Sequence, residues 1–192
     1  MKPILAATLL TLGLQGSPFN TYGVHLRPST IPGRCSVDDV DSLRNHVYRF
    51  RDAPMFPGDA DVKLQDGQYV ETDPNGSVDW EMKIGSPQEI QLEGTSAVLL
   101  NLGAAHFGGS GSIGYVLVAR CRATEMEVLF EACGPIRDAR YDAAKGLTIA
   151  HYVWSPDDCH ACPSREVTEY YIWSASRRRF ILSSRSERAL RR

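Results

Sequence analysis

Apolar and polar positions along this chain alternate with a period of two far more often than with a helical period. His46–Phe50, Val78–Ile84 and Leu147–Trp154 each alternate in this way, as a strand with one buried face does. Two runs depart from alternation. Ala97–Leu102 and Tyr115–Ala119 are apolar almost throughout, short, and flank the most glycine-dense loop of the chain. Runs of this length bounded by turn residues read as fully buried strands. Further short extended runs are predicted at Glu89–Leu92, Met126–Ala132, Arg137–Tyr141, Val167–Trp173 and Arg179–Ser183. Val62–Gln65 and Gln68–Glu71 flank Asp66-Gly67, the strongest short hairpin signal present.

Turn residues punctuate these runs at Asp73–Gly76, Gly134-Pro135, Ala143–Gly146 and Ser174–Ser176. Ser36-Val37-Asp38-Asp39 has the form of a capping box, and a short helix over Val37–Leu43 follows from it. The pattern predicts a mainly β fold: an antiparallel sandwich or barrel-like stack of about ten short strands with one short N-terminal helix. Strands so close together leave no room for parallel crossovers.

The ends of the chain change this picture. Lys2, the apolar run Ile4–Leu14 and the small residues Gly16 and Ser17 read as a signal peptide over residues 1–16, since the run is too short to span a bilayer. Residues 17–35 form an extended, Pro- and Gly-bearing segment, 36–184 a single β-rich domain and 185–192 a basic tail. The expected location is secreted or periplasmic. No later stretch is apolar enough to be an integral membrane segment, and the distance from the apolar run to Cys35 argues against lipid anchoring. From Arg177 onward there are seven arginines and one acid, Glu187, a balance of +6 that leaves −8 on the rest of a chain whose net charge is −2. Such a tail could hold a polyanion. With only Phe180 to stack a base, nucleic acid is not the expected partner.

Five cysteines in an oxidising compartment suggest two disulfides and an odd thiol. The candidates are Cys121, Cys133, Cys159 and Cys162. Cys159 and Cys162 bridge each other, or one of them bonds back to the central strands, and Cys121–Cys133 is the second bridge. A two-residue turn at Ala123-Thr124 would not set Cys121 opposite Cys133, which counts against that bridge unless the hairpin is irregular. Cys35 has no assigned role.

Several stretches imitate chemical motifs. Gly109–Gly114 matches G-x-G-x-x-G after a strand, but Tyr115–Val118 is strand where the dinucleotide fingerprint needs a helix. A phosphate loop is excluded because no lysine lies between Lys83 and Lys145, and neither Ser110 nor Ser112 has both glycines of a hydrolase elbow. Cys159-His160-Ala161-Cys162 allows thiol–disulfide exchange, yet a strand pattern follows where an activating helix would stand, and neighbouring acids would raise the thiol pKa. A second C-x-x-C that would complete a zinc site is missing. Asp73, Asn75, Ser77 and Asp79 space oxygens as a calcium loop does, but Ile84 occupies the place of the bidentate glutamate. No catalytic residue, metal or cofactor is therefore expected. Binding loops are expected at His106, Phe107, Gly109, Ser110 and Gly111, and at His160, since loops on a rigid sheet carry recognition.

Val40–Phe50, the strand and Gly-Gly-Ser loop over Val98–Gly111, and Cys162-Pro163-Ser164 followed by Thr168–Trp173 and Arg179-Phe180 resemble a group of uncharacterised secreted bacterial proteins. In that group a Gly-Gly-Ser/Thr loop precedes a Cys-Pro-Ser/Thr loop and a Tyr-x-Trp strand. The resemblance implies an extracytoplasmic β-rich domain and supplies no activity. Gln91–Thr95 lacks the paired aspartates found before the central strand in that group, so no calcium role carries over. The expected function is that of an exported non-enzymatic domain binding a protein or envelope component. Thiol–disulfide exchange at Cys159/Cys162 and polyanion binding at the arginine-rich end are the alternatives.

Overall fold

Nearly every alternating or apolar run of the chain forms a strand. The computed structural model describes residues 30–32, 43–50, 60–106, 112–122, 125–159 and 162–190. In chain order the strands are β1 (Thr30–Pro32), β2 (Val47–Phe50), β3 (Ala60–Lys63), β4 (Gln68–Thr72), β5 (Val78–Ile84), β6 (Gln88–Leu92) and β7 (Thr95–His106). They continue with β8 (Ser112–Arg122), β9 (Glu125–Gly134), β10 (Ile136–Asp142), β11 (Gly146–Val153), β12 (Arg165–Ser174) and β13 (Arg179–Ala189). The protein is mainly β and its strands pair antiparallel throughout the described residues. Of the helix expected over Val37–Leu43, only Leu43 is described, and it is helical together with Arg44. The residues of the expected signal peptide lie outside the described part.

The strands form a central seven-stranded sheet in the order β1-β9-β8-β7-β5-β4, with β6 also on β7. A four-stranded meander β10-β11-β12-β13 and the pair β2-β3 complete the fold. β7 is long enough to hold two partners end to end on one edge: β6 pairs with Thr95–Leu99 and β5 with Leu102–His106. At the junction the Gly85 N–H donates to the Asn101 carbonyl at 2.6 Å.

The nearly continuous apolar runs now have a physical reason. Successive side chains of β7 and β8 point to opposite faces, and both faces are covered. Val98, Leu100, Leu102 and Ala104 with Tyr115, Leu117 and Ala119 pack against Leu43, Tyr48, Val62 and Leu64. Ala97 and Leu99 with Val116 and Val118 pack on the meander through Ala139, Leu147, Ile149, Tyr171 and Phe180. The fold is therefore a three-layered stack, and strands buried on both faces lose their alternation.

β9 serves both cores through a bulge. Val118 faces Phe130 but Ala119 faces Val128, so Leu129 is an extra residue in the ladder. The insertion reverses the face parity. Met126 and Val128 enter one core, while Phe130 and Ala132 enter the other. Phe130 then meets Tyr171 edge-on at 4.9 Å and Phe180 at 5.8 Å, and Phe180 meets Trp173 at 5.4 Å.

Two expectations are corrected. The Asp66-Gly67 turn forms, with φ of 51° and 85°, but Gln65 and Gln68 make only an isolated bridge. β3 departs to pair with β2 and β4 to pair with β5. The turn is instead tied to the helical residue and its neighbour: Arg44 Nη2 donates to the Asp66 carbonyl at 2.7 Å, the Gly67 N–H to the Arg44 carbonyl, and the Asp66 N–H to Asn45 Oδ1. Residues 185–189 are not a tail, because β13 stays paired with β12 as far as Ala189 opposite Arg165.

Phe180→Ala is expected to lower stability by about 3–5 kcal/mol, since Phe180 is fully buried at the inter-sheet aromatic cluster. Leu182→Ala, with Leu182 48% exposed, should stay within about 0.5 kcal/mol of the parent. Urea unfolding of the two variants measures the difference.

Candidate functional site

Three glycines lie in register across the central sheet: Gly103 opposite Gly114, and Gly114 opposite Gly134. After Gly134-Pro135 the chain leaves that sheet and β10 crosses above it. Ile136 passes over Gly114, where a Cβ would stand 2.7 Å from the Ile136 Cβ, so this crossing needs glycine. A Cβ on Gly103 would meet nothing within 4 Å. The result is an open cleft of about 200 Å³ between the sheet and β10, floored by Gly103, Gly114 and Val116 and walled by Asn101, Arg137 and Asp138.

The polar groups of the cleft are held by the fold. Asn101 Nδ2 donates to the Ala139 carbonyl at 3.2 Å, while its Oδ1 is inaccessible and has no hydrogen-bond donor. Arg137 is the extra residue of a bulge, since Ile136 faces His151 and Asp138 faces Ala150. Its Nε lies 3.2 Å from Glu166 Oε2, and Arg188 Nε donates to Glu166 Oε1 at 3.0 Å. A buried carboxylate between two guanidinium groups fixes the orientation of Arg137 at the rim. The cleft is smaller than the few hundred Å³ typical of cofactor pockets and suits a side chain or another group of a few heavy atoms.

The expected glycine loop starts where this cleft ends. Gly103 and Gly114 are two residues from Ala105 and Ser112, the last pair of the β7–β8 ladder. His106 closes β7 opposite Trp80, while Phe107, Gly109, Ser110 and Gly111 lie outside the described residues. His160 lies outside them too.

Cys159 and Cys162 are bonded to each other. Their loop is tied by Asp158, whose Oδ2 accepts the N–H groups of Ser155 at 2.6 Å and Ser164 at 2.9 Å; the hydroxyls of Ser155 and Ser164 are 2.9 Å apart. The expected Cys121–Cys133 bridge does not form. Cys121 is disulfide-bonded and Cys133 is a free thiol. The register explains it, for Cys121 faces Met126 and Cys133 faces Tyr115, at opposite ends of the β8–β9 ladder. Cys35 lies outside the described residues. Burial, and secondarily the charge of Glu131, push the Cys133 thiol up to about 12, so it stays protonated and weakly nucleophilic.

Two other polar clusters have structural uses. Asp73 Oδ1 accepts the N–H groups of Asn75 at 2.8 Å and Ser77 at 2.9 Å, closing its own turn. Tyr171 donates to Glu169 Oε2 at 2.7 Å, and His151 Nε2 lies 3.9 Å from the same oxygen. That trio was not legible in the sequence, because it is made by the β11–β12 register. The cleft left one trace there: Asn101 is the single polar residue inside an apolar run.

No protein-family model matches the chain, and neither curated proteins nor solved structures match it.

Gly114→Ala is expected to cost about 1–3 kcal/mol by overpacking against Ile136, whereas Gly103→Ala should leave the melting temperature nearly unchanged. Thermal unfolding of the pair separates the structural glycine from the one that leaves the cleft open.

Burial lowers the pKa of His46 and of His151; at His151 the Glu169 carboxylate opposes the shift and Arg185 adds to it. Each histidine therefore takes up a proton more readily in the unfolded chain. Its contribution to stability is present above about pH 6.5 and is lost as pH falls through the folded-state value. The melting temperature should drop on acidification from about pH 7 to about pH 5. His46→Gln and His151→Gln should each flatten that slope.

Proposed function

We propose that this chain is an exported, non-enzymatic domain that binds a protein or envelope component at the end of the central sheet where the Gly103/Gly114 cleft adjoins the glycine loop. The cleft carries the reading: it is open and walled by the Arg137 guanidinium and the Asp138 carboxylate. These groups recognise a partner by hydrogen bonds and shape. Export is supported by the leader pattern and by disulfide-bonded cysteines. The Cys133 thiol, held protonated by burial, is a poor nucleophile, in keeping with a binding role.

The test fills the cleft. Gly103→Leu places a side chain in open space, and its melting temperature reports whether the fold survives. Wild-type and variant protein are then compared for co-sedimentation with purified envelope preparations of the producing cell. Saturable binding that the substitution weakens about tenfold, or by about 1.4 kcal/mol, is expected. Equal binding by both proteins would move the site elsewhere. Catalytic reduction of insulin that Cys159→Ser abolishes would replace this reading with thiol–disulfide exchange.

A further inference from the structure

β13 is a long open strand edge. It runs for eleven residues at the end of the meander, and among the described residues nothing pairs with its outer side. The other edges are shorter: β1 has three residues and ends in Pro32, and β4 has five. β10, the opposite edge of the meander, is folded over the central sheet. From Leu182 to Ala189, eight of its eleven residues, every residue of β13 is exposed, so most of the strand is open to solvent on both faces as well as along its edge. Alternate residues of such a strand turn N–H and C=O groups outward, ready to pair with another extended chain.

The strand is nevertheless held firmly. Apart from a bulge at Ser183 it is registered on β12 from end to end, and the Leu190 N–H donates to the Ser164 carbonyl at 2.8 Å beyond its end. At its start, Arg178 adopts a left-handed φ of 49° and reaches Glu127 of the central sheet at 3.7 Å. An incoming strand would meet a preformed edge.

Charge selects the occupant. Arg188 is paired with Glu166, Arg178 with Glu127, and Arg185 lies opposite Glu169, while Arg179 at the start of the strand and Arg177 in the turn before it are exposed with no ion-pair partner among the described residues. Glu187, the one acid of the strand, is taken by Arg165 at 2.9 Å. We propose that the free edge of β13 binds an extended acidic segment of another protein as an added strand, with Arg177 and Arg179 facing its carboxylates and Leu182 offering an apolar contact. This surface is separate from the Gly103/Gly114 cleft and does not rest on its role.

The probe is a fluorescent ten-residue peptide of alternating glutamate and threonine, titrated into the disulfide-intact protein. Two control peptides carry lysine in place of glutamate, or proline in place of threonine at unchanged charge. Saturable one-to-one binding is expected, with both controls at least about tenfold weaker and with slowed hydrogen exchange confined to amides of β13. The double substitution Arg177→Glu/Arg179→Glu should weaken binding about tenfold, as loss of one opposite-charge contact across strands and one from the adjoining turn would, and circular dichroism checks that the variant stays folded. The proposal is overturned if the peptide does not bind, if the proline peptide binds equally and thus marks a plain polyanion site, if protection appears away from β13, or if sedimentation shows the unliganded protein already dimerised through this edge.

Discussion

A sheet whose middle strands carry apolar side chains on both faces needs two covers, and the rest of this structure depends on that requirement. β7 and β8 would each expose half of their buried residues if either cover were removed. Apolar surface is worth about 25 cal/mol per Å² when taken from water, so a lost layer would leave the central strands without most of their driving force. The β2–β3 pair with Leu43 supplies one cover and the meander supplies the other. The Leu129 bulge follows from the same demand, because one strand can feed two cores only by changing its face parity midway. Gly114 follows from it too, since the link from the central sheet to its second cover must pass close above the first.

This arrangement governs where polar chemistry can sit. Asp158 braces the cysteine loop, Glu166 lies between Arg137 and Arg188, and Glu169 accepts from Tyr171. Asp158 and Glu169 thereby satisfy donors that would otherwise lack partners, at a penalty of about 1–3 kcal/mol apiece, and the buried Glu166 carboxylate is compensated by the two cations beside it. The two surfaces proposed for recognition are at the margins: the rim of the cleft under β10 and the edge of β13. Both are held in place by the fold, so little ordering would oppose the proposed binding.

Much of the strand content was legible because its signals are local. Val78–Ile84 and Leu147–Trp154 alternate, Asp66-Gly67 adopts the conformation its residues favour, and the nearly continuous apolar character of Ala97–Leu102 and Tyr115–Ala119 reports burial on both faces. Strand limits were less legible. β7 and β8 continue through Gly103–His106 and from Ser112, where glycines suggest a loop, because the paired neighbour holds the extended conformation. Arg179, Arg185 and Arg188 look like part of a solvated tail when only charge is read, yet they belong to β13, where β12 sets Glu169 opposite Arg185 and supplies Glu166 to Arg188.

By itself the sequence determined a β-rich chain, the positions of most strands and turns, and the pairing of Cys159 with Cys162 as one of the allowed bridges. Period-two patterning and turn preference act within a few residues, and so does closure of a short disulfide loop. Only the tertiary structure decided that the Asp66-Gly67 turn sends its two strands into different sheets. It likewise decided that Cys133 stays free, that a glycine row opens a cleft beneath β10, and that β13 keeps an uncovered edge. Those outcomes rest on contacts between residues far apart in the chain, and they are selected by which pairing covers both faces of β7 and β8 at once.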